Sequence, residues 1–179
     1  MTSADSMTDN SSNPRSAAFA LAIGWADYMN NTDKVNDCKS EMRKAAIDVI
    51  CQSGYADDSV YDSLEKSYIN NFISNNPDYE EIRKTLNALA SINTNKAAGL
   101  LLLFLQGLHQ KRCADSWGDK EEQIYPWVIE SLGRMKHVSK SAWNLLVIII
   151  RTEEYSIKER ICARDALIKM KERISKPAA

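Results

Sequence analysis

From residue 17 onward, apolar residues fall at three- and four-residue steps, and short polar clusters break the pattern at intervals. Ala18, Leu21, Trp25 and Tyr28/Met29 form a 3.6-period stripe that Asn30-Asn31-Thr32-Asp33 interrupts. A second stripe, over about 34–53, takes Val35, Cys38, Met42, Ala45/Ala46, Val49 and Ile50. Ser53-Gly54 closes it, because glycine readily adopts the left-handed conformation that ends helices. Asp57-Asp58 opens a third, where acids suit the positive end of a helix dipole, and Val60/Tyr61, Leu64, Tyr68 and Phe72 point inward. Asn76-Pro77 reads as a cap followed by proline at the first position of a fourth helix, about 77–92, carrying Ile82, Leu86, Leu89 and Ile92.

A fifth helix, about 96–113, is apolar nearly all round over 100–105, which predicts burial between neighbours. Residues 114–120 form a polar loop holding Trp117. The sixth helix, about 120–136, shows Ile124, Trp127/Val128, Leu132 and Met135, with Pro126 inside it, where it would kink the helix, or just at its first turn. A seventh runs from Lys140 to about Glu153. Ser156 and Glu159 have capping-box spacing and open an eighth, which turns Ile161, Ala163, Ala166/Leu167, Met170 and Ile174 inward. The pattern is that of an all-α domain of about eight helices over 15–176. Before it, residues 1–14 are polar and aperiodic and read as a disordered tail.

Composition sharpens this picture. The 179 residues include only 6 Gly and 4 Pro, too few turn formers for an all-β chain, and 44% hydrophobic content excludes disorder throughout. Net charge is -1, but residues 1–96 carry 9 basic and 14 acidic side chains and residues 97–179 carry 14 and 10. Glu159, Asp165 and Glu172 interrupt the basic stretch, which argues against a nucleic-acid stripe. The apolar runs 97–105 and 143–150 fall short of the roughly 20 residues a bilayer span needs. The run 17–26 has an acidic leader and reads as a buried first helix, so the expected location is cytoplasmic. Cys38, Cys51, Cys113 and Cys162 are scattered, as small core residues are. With His109 and His137 the only histidines, no metal site is expected. Phosphate-binding glycine motifs and nucleophile elbows are absent, and no cofactor is expected. His109 and Cys113, one helical turn apart, make the only Cys/His pair, with no obvious orienting carboxylate.

The helices also repeat. Leu86-x-x-Leu89-x-x-Ile92 followed by Leu101, Leu102 and Leu105 matches Ile129-x-x-Leu132-x-x-Met135 followed by Leu145 and Ile148, 43 residues on. The first-helix pattern recurs at Ala166-Leu167-Ile168-Lys169-Met170, and earlier at 42–50, about 40 before Ile82-Arg83. A two-helix unit with a 40–47-residue period resembles the HEAT-like repeat family. Met42-Arg43, Ala46 and Val49-Ile50 resemble its first-helix motif, as do Arg160, Ala163 and Ala166-Leu167, with Glu159 at an expected aliphatic position.

The resemblance implies a right-handed α-α superhelix, a solenoid whose second helices line an extended binding surface. It further implies a scaffold that binds another protein and has no catalysis of its own. The alternative is an accessory lyase-like enzyme or a nucleic-acid-binding HEAT-like protein. Polar residues on the second helices, Lys96, Gln106, His109, Gln110, Asn144 and Arg151, are the candidate contacts, joined by Trp117 as an exposed aromatic anchor. The last helix, with Lys158, Arg160, Arg164, Lys169, Lys171, Arg173 and Lys176, is expected to present a polar outer face as a terminal cap.

Overall fold

The computed structural model describes residues 36–114, 116–136 and 139–175, with side chains from residue 40 to residue 173. The expected tail over 1–14 and the expected first helix over 17–29 lie outside the described residues. Among the described residues there are seven α-helices and no strand: α1 Asn36–Ser53, α2 Asp58–Ile73, α3 Tyr79–Ile92, α4 Asn95–Cys113, α5 Asp119–Arg134, α6 Lys140–Arg151 and α7 Ile157–Ser175. The chain is all-α.

Local chemistry explains most boundaries. Asp57, Asp78, Thr94 and Ser139 each accept a hydrogen bond from a first-turn backbone N–H of the helix they precede. Ser156 and Glu159 form the reciprocal capping box that opens α7. Asn93 ends α3 with φ 54, a left-handed conformation asparagine tolerates, so only Asn93 and Thr94 separate α3 from α4. Asp78 and not Asn76 caps α3, which moves the helix start two residues past Pro77. Pro126 sits inside α5 and not in its first turn.

The odd-numbered helices pack in a row: α1 on α3, α3 on α5, α5 on α7. Of the second helices, α2 packs on α3, α4 on α3 and α5, and α6 on α7. Within the row the helices run parallel. Ser40 donates to Asp78 near the start of α1 and α3, and Cys51 and Ser91 meet at 3.2 Å near their ends. Arg134 reaches Asn87, and the Lys136 N–H donates to Asn93, tying α3 to α5. The second helices α2 and α4 are also parallel: Lys96 pairs with Asp58 at one end and Lys111 lies over Phe72 at the other. Tyr68 and Phe104 stack between them with centroids 3.7 Å apart.

A single apolar core runs along the row, from Ile47 and Ile50 through Leu86, Leu89 and Leu105 to Leu132, Ile149 and Met170. Within it lie three glutamates. Glu81, Glu121 and Glu159 are each the third residue of an odd-numbered helix and are almost fully buried. Glu81 accepts from Arg43 at 3.1 Å and from Ser67 at 2.7 Å. Glu121 accepts from Lys111 at 2.7 Å, and Glu159 pairs with Arg112. Each carboxylate therefore sits at a helix N-terminus, where the dipole favours negative charge, and faces a cation from another helix.

Three inward assignments need correction. Arg43 takes the inward position on α1, so the buried face is Arg43, Ala46, Ile47 and Ile50, and Met42 turns out to 53% exposure. On α4 the core surrounds Leu100, Leu101, Phe104 and Leu105, but Leu103 is exposed, so this helix has a free face. On α7, Ala163, Ala166 and Met170 are buried while Ile161 points outward.

Gly133 marks a close approach of α5 to α7. A Cβ built there would lie 2.9 Å from both Cα and Cβ of Ala166 on α7, too close for contact without a backbone shift. Gly133→Ala is therefore expected to lower the unfolding free energy by about 1–3 kcal/mol through overpacking, despite alanine's better helix propensity. Urea denaturation checks this, and adding Ala166→Gly should restore part of the loss.

Candidate functional site

The outward side of the second helices carries one recurrent arrangement. Exposed aliphatic side chains, Ile69 and Ile73 on α2, Leu103 on α4 and Ile148 on α6, stand among polar neighbours. Gln106 and Gln110 follow Leu103 at three and seven residues and share its side of α4, and Asn144 and Arg151 flank Ile148 on α6 in the same way. All four polar residues are exposed.

Lys96, His109 and Trp117 are engaged within the fold. Lys96 pairs with Asp58 at 2.6 Å and lies 4.9 Å from the Tyr61 ring centroid. His109 Nδ1 hydrogen-bonds the Tyr155 hydroxyl and stacks on that ring. Trp117 is half-buried and folds back edge-on against Tyr125. It is a packing residue more than a protruding anchor.

The centre of that packing is Arg112, which sequence reading passed over. Its guanidinium lies 4.2 Å from the Trp117 ring centroid and 4.8 Å from that of Tyr155, donates to the Glu154 carbonyl at 2.9 Å and pairs with buried Glu159. One cation thereby holds together the end of α4, the loop before α5 and the link between α6 and α7. Burial, then neighbouring Tyr155 and Glu159, raises the Tyr125 hydroxyl well above the usual tyrosine range, so it stays protonated at neutral pH.

Cys113 is exposed, with its Sγ 3.9 Å from His109 Nε2. A tyrosine hydroxyl occupies the other imidazole nitrogen, where a catalytic triad places a carboxylate. The thiol also belongs to the last residue of α4, away from the backbone N–H groups of a helix start that would serve as an oxyanion hole. Cys51 and Cys162 are half-buried, and burial pushes the Cys162 thiol up to about 11. Among the described residues no three His, Cys, Asp or Glu side chains gather where they could hold a metal ion. Among them, too, no helix is long and apolar enough to cross a membrane.

On the opposite side, between first helices, lie two shallow grooves. One of about 100 Å³ is lined by Arg83, Asn87, Trp127 and Arg134, and one of about 250 Å³ by Pro126, Glu130, Cys162 and Lys169. None of the seven candidate contact residues borders either. No protein-family model, no curated protein and no solved structure matches the chain.

Two carboxylates of the framework make stability depend on acid. Burial works to raise Glu121, but the Lys111 hydrogen bond, its own backbone N–H and the Lys111 and Lys120 charges outweigh it and hold the group below the usual glutamate range. Asp78 is likewise lowered: its bonds from the Glu81 backbone, Ser40 and Lys44 overcome burial. Because both pKa values are depressed in the folded state, their stabilisation is complete above the unfolded-state values, near 4, and drains as pH falls through the folded ones. Urea midpoints should therefore hold from pH 7 to about pH 5 and drop steadily below it, with a shallower drop in Glu121→Gln; a flat profile down to pH 3 would contradict this reading.

Proposed function

We propose that this chain is a HEAT-like helical-repeat module, wound as a right-handed α-α superhelix, that binds another protein through the outward face of α2, α4 and α6. The row of parallel first helices supports the repeat reading. So does the spacing of the bonds that join successive first helices: Arg43 to Glu81 spans 38 residues, Cys51 to Ser91 spans 40, Lys136 to Asn93 spans 43 and Arg134 to Asn87 spans 47. Such a period is what stacked two-helix units produce.

The observation that carries the binding reading is the exposed aliphatic on each second helix. Leu103 is 58% exposed and Ile148 49%, each beside uncharged or basic polar groups free to make directional bonds. Aliphatic centres with polar rims are the usual composition of a recognition patch. Each lies on a rigid helix that its neighbours hold in place, which keeps the ordering cost of association low.

The test replaces the face without touching the core. Leu103→Ser combined with Gln106→Ala and Arg151→Glu should leave the melting temperature within a few degrees of the parent. Affinity purification from the native host, quantified by mass spectrometry, should then show a partner captured by the parent and depleted at least tenfold with the variant. Equal recovery of every captured protein by the two would reject this face as the binding surface.

A further inference from the structure

The outer side of α7 carries exposed isoleucines among its exposed charged residues, Lys158, Arg164, Lys169, Lys171 and Glu172. Ile157, Ile161 and Ile168 are 74%, 44% and 48% exposed. Their spacing of four and seven residues, with Arg164 filling the gap, sets all four on one line along the helix, opposite the buried Ala163, Ala166 and Met170. Isolated exposed isoleucines need no explanation, but three in one line on a helix already packed by its other side form an unpartnered apolar stripe.

The two flanks of the stripe differ in charge. One bears Arg160 and Lys171 with no acid among them; the other mixes Lys158 and Lys169 with Asp165 and Glu172, and Arg164, on the line itself, donates from Nε and Nη2 to Asp165 Oδ1 at 3.2 and 3.0 Å. On the wholly basic flank a shallow groove of about 320 Å³ opens between α7 and the end of α6, lined by Ile150, Ile157, Arg160, Ile161 and Arg164. Its floor is aliphatic and its only charged groups are two guanidiniums. Arg160 is held there by a 2.9 Å bond from its Nε to the Ile150 carbonyl.

We propose that this groove is a second docking site, one that takes an amphipathic helix of a partner protein bearing Asp or Glu beside its apolar stripe. A helix laid along α7 would set aliphatic side chains on Ile157, Ile161 and Ile168 and bring a carboxylate to the two Nη groups of Arg160, with Arg164, already paired to Asp165, as a second positive charge beside it. A second copy of α7 fits less well, because it would bring a basic flank against a basic flank. The proposal does not depend on the second-helix surface, since α7 lies in the other layer.

A displayed library of 16-residue helix-forming peptides, panned against the full chain with Ile161→Asp as counter-target, tests it. The expected winners carry aliphatic residues at i, i+4 and i+7 with Asp or Glu on one flank. As synthetic peptides they should bind at least tenfold more weakly to Ile161→Asp and to Arg164→Glu, and equally well to Leu103→Ser. Both charged substitutions are at exposed sites and should leave the far-ultraviolet circular dichroism melt unchanged. The proposal is overturned if winners are neutral or basic on the flank, or if none survives counter-selection. It is equally overturned if Ile161→Asp instead abolishes self-association in sedimentation, or binding to phosphatidylcholine vesicles containing 30% phosphatidylserine.

Discussion

A carboxylate buried at the third position of a helix is costly unless both the helix terminus and a cation answer it. In this chain that condition is met three times, at Glu81, Glu121 and Glu159. Each helix start is thus keyed to another element: α3 to α1 and α2 through Arg43 and Ser67, α5 and α7 to α4 through Lys111 and Arg112. Apolar packing tolerates sliding and rotation, whereas a buried ion pair admits one register. The pairs therefore decide how the helices align, and the continuous core then supplies most of the stabilisation.

The placement of possible binding surfaces follows from this framework. With first helices locked in a row, the second helices present their outer sides, where Leu103 and Ile148 remain uncovered. Arg112 closes the far end by gathering Trp117, Tyr155 and Glu159, and His109 and Trp117 are left half-buried there. What stays available is aliphatic and polar surface on α4 and α6 and the isoleucine line on α7. These surfaces sit on different layers, which would let a single small domain join two partners.

Much of the fold is legible in the sequence, because helices with one apolar face announce themselves by period. The seven described helices lie close to where the stripes fall, and the caps at Asp57, Ser139 and Ser156 are readable as residue chemistry. Phase is harder to read than period. On α1 the inward residue is Arg43, so a hydrophobicity stripe drawn through Met42 is turned by one position; only the partner, Glu81, 38 residues away, makes the arginine an inside residue. Ile161 misleads in the reverse sense, an aliphatic left outside. The glutamates at 81, 121 and 159 recur at nearly the same interval as the apolar repeat and were open to view, but a comparison of apolar positions passes over them. Trp117 shows the limit of reading loops: a polar context predicts exposure, and the nearby guanidinium that draws the ring back is visible only in three dimensions.

The buried pair between Arg43 and Glu81 offers the most direct measurement of the central claim. A double-mutant cycle in urea, with Arg43→Met, Glu81→Met and both together, separates a registered pair from two independent contacts. The account predicts that each single change costs about 3–5 kcal/mol, because it takes the opposite charge away from a buried one, and that the double change costs less than either. Additive losses, or single changes that cost nothing, would contradict it.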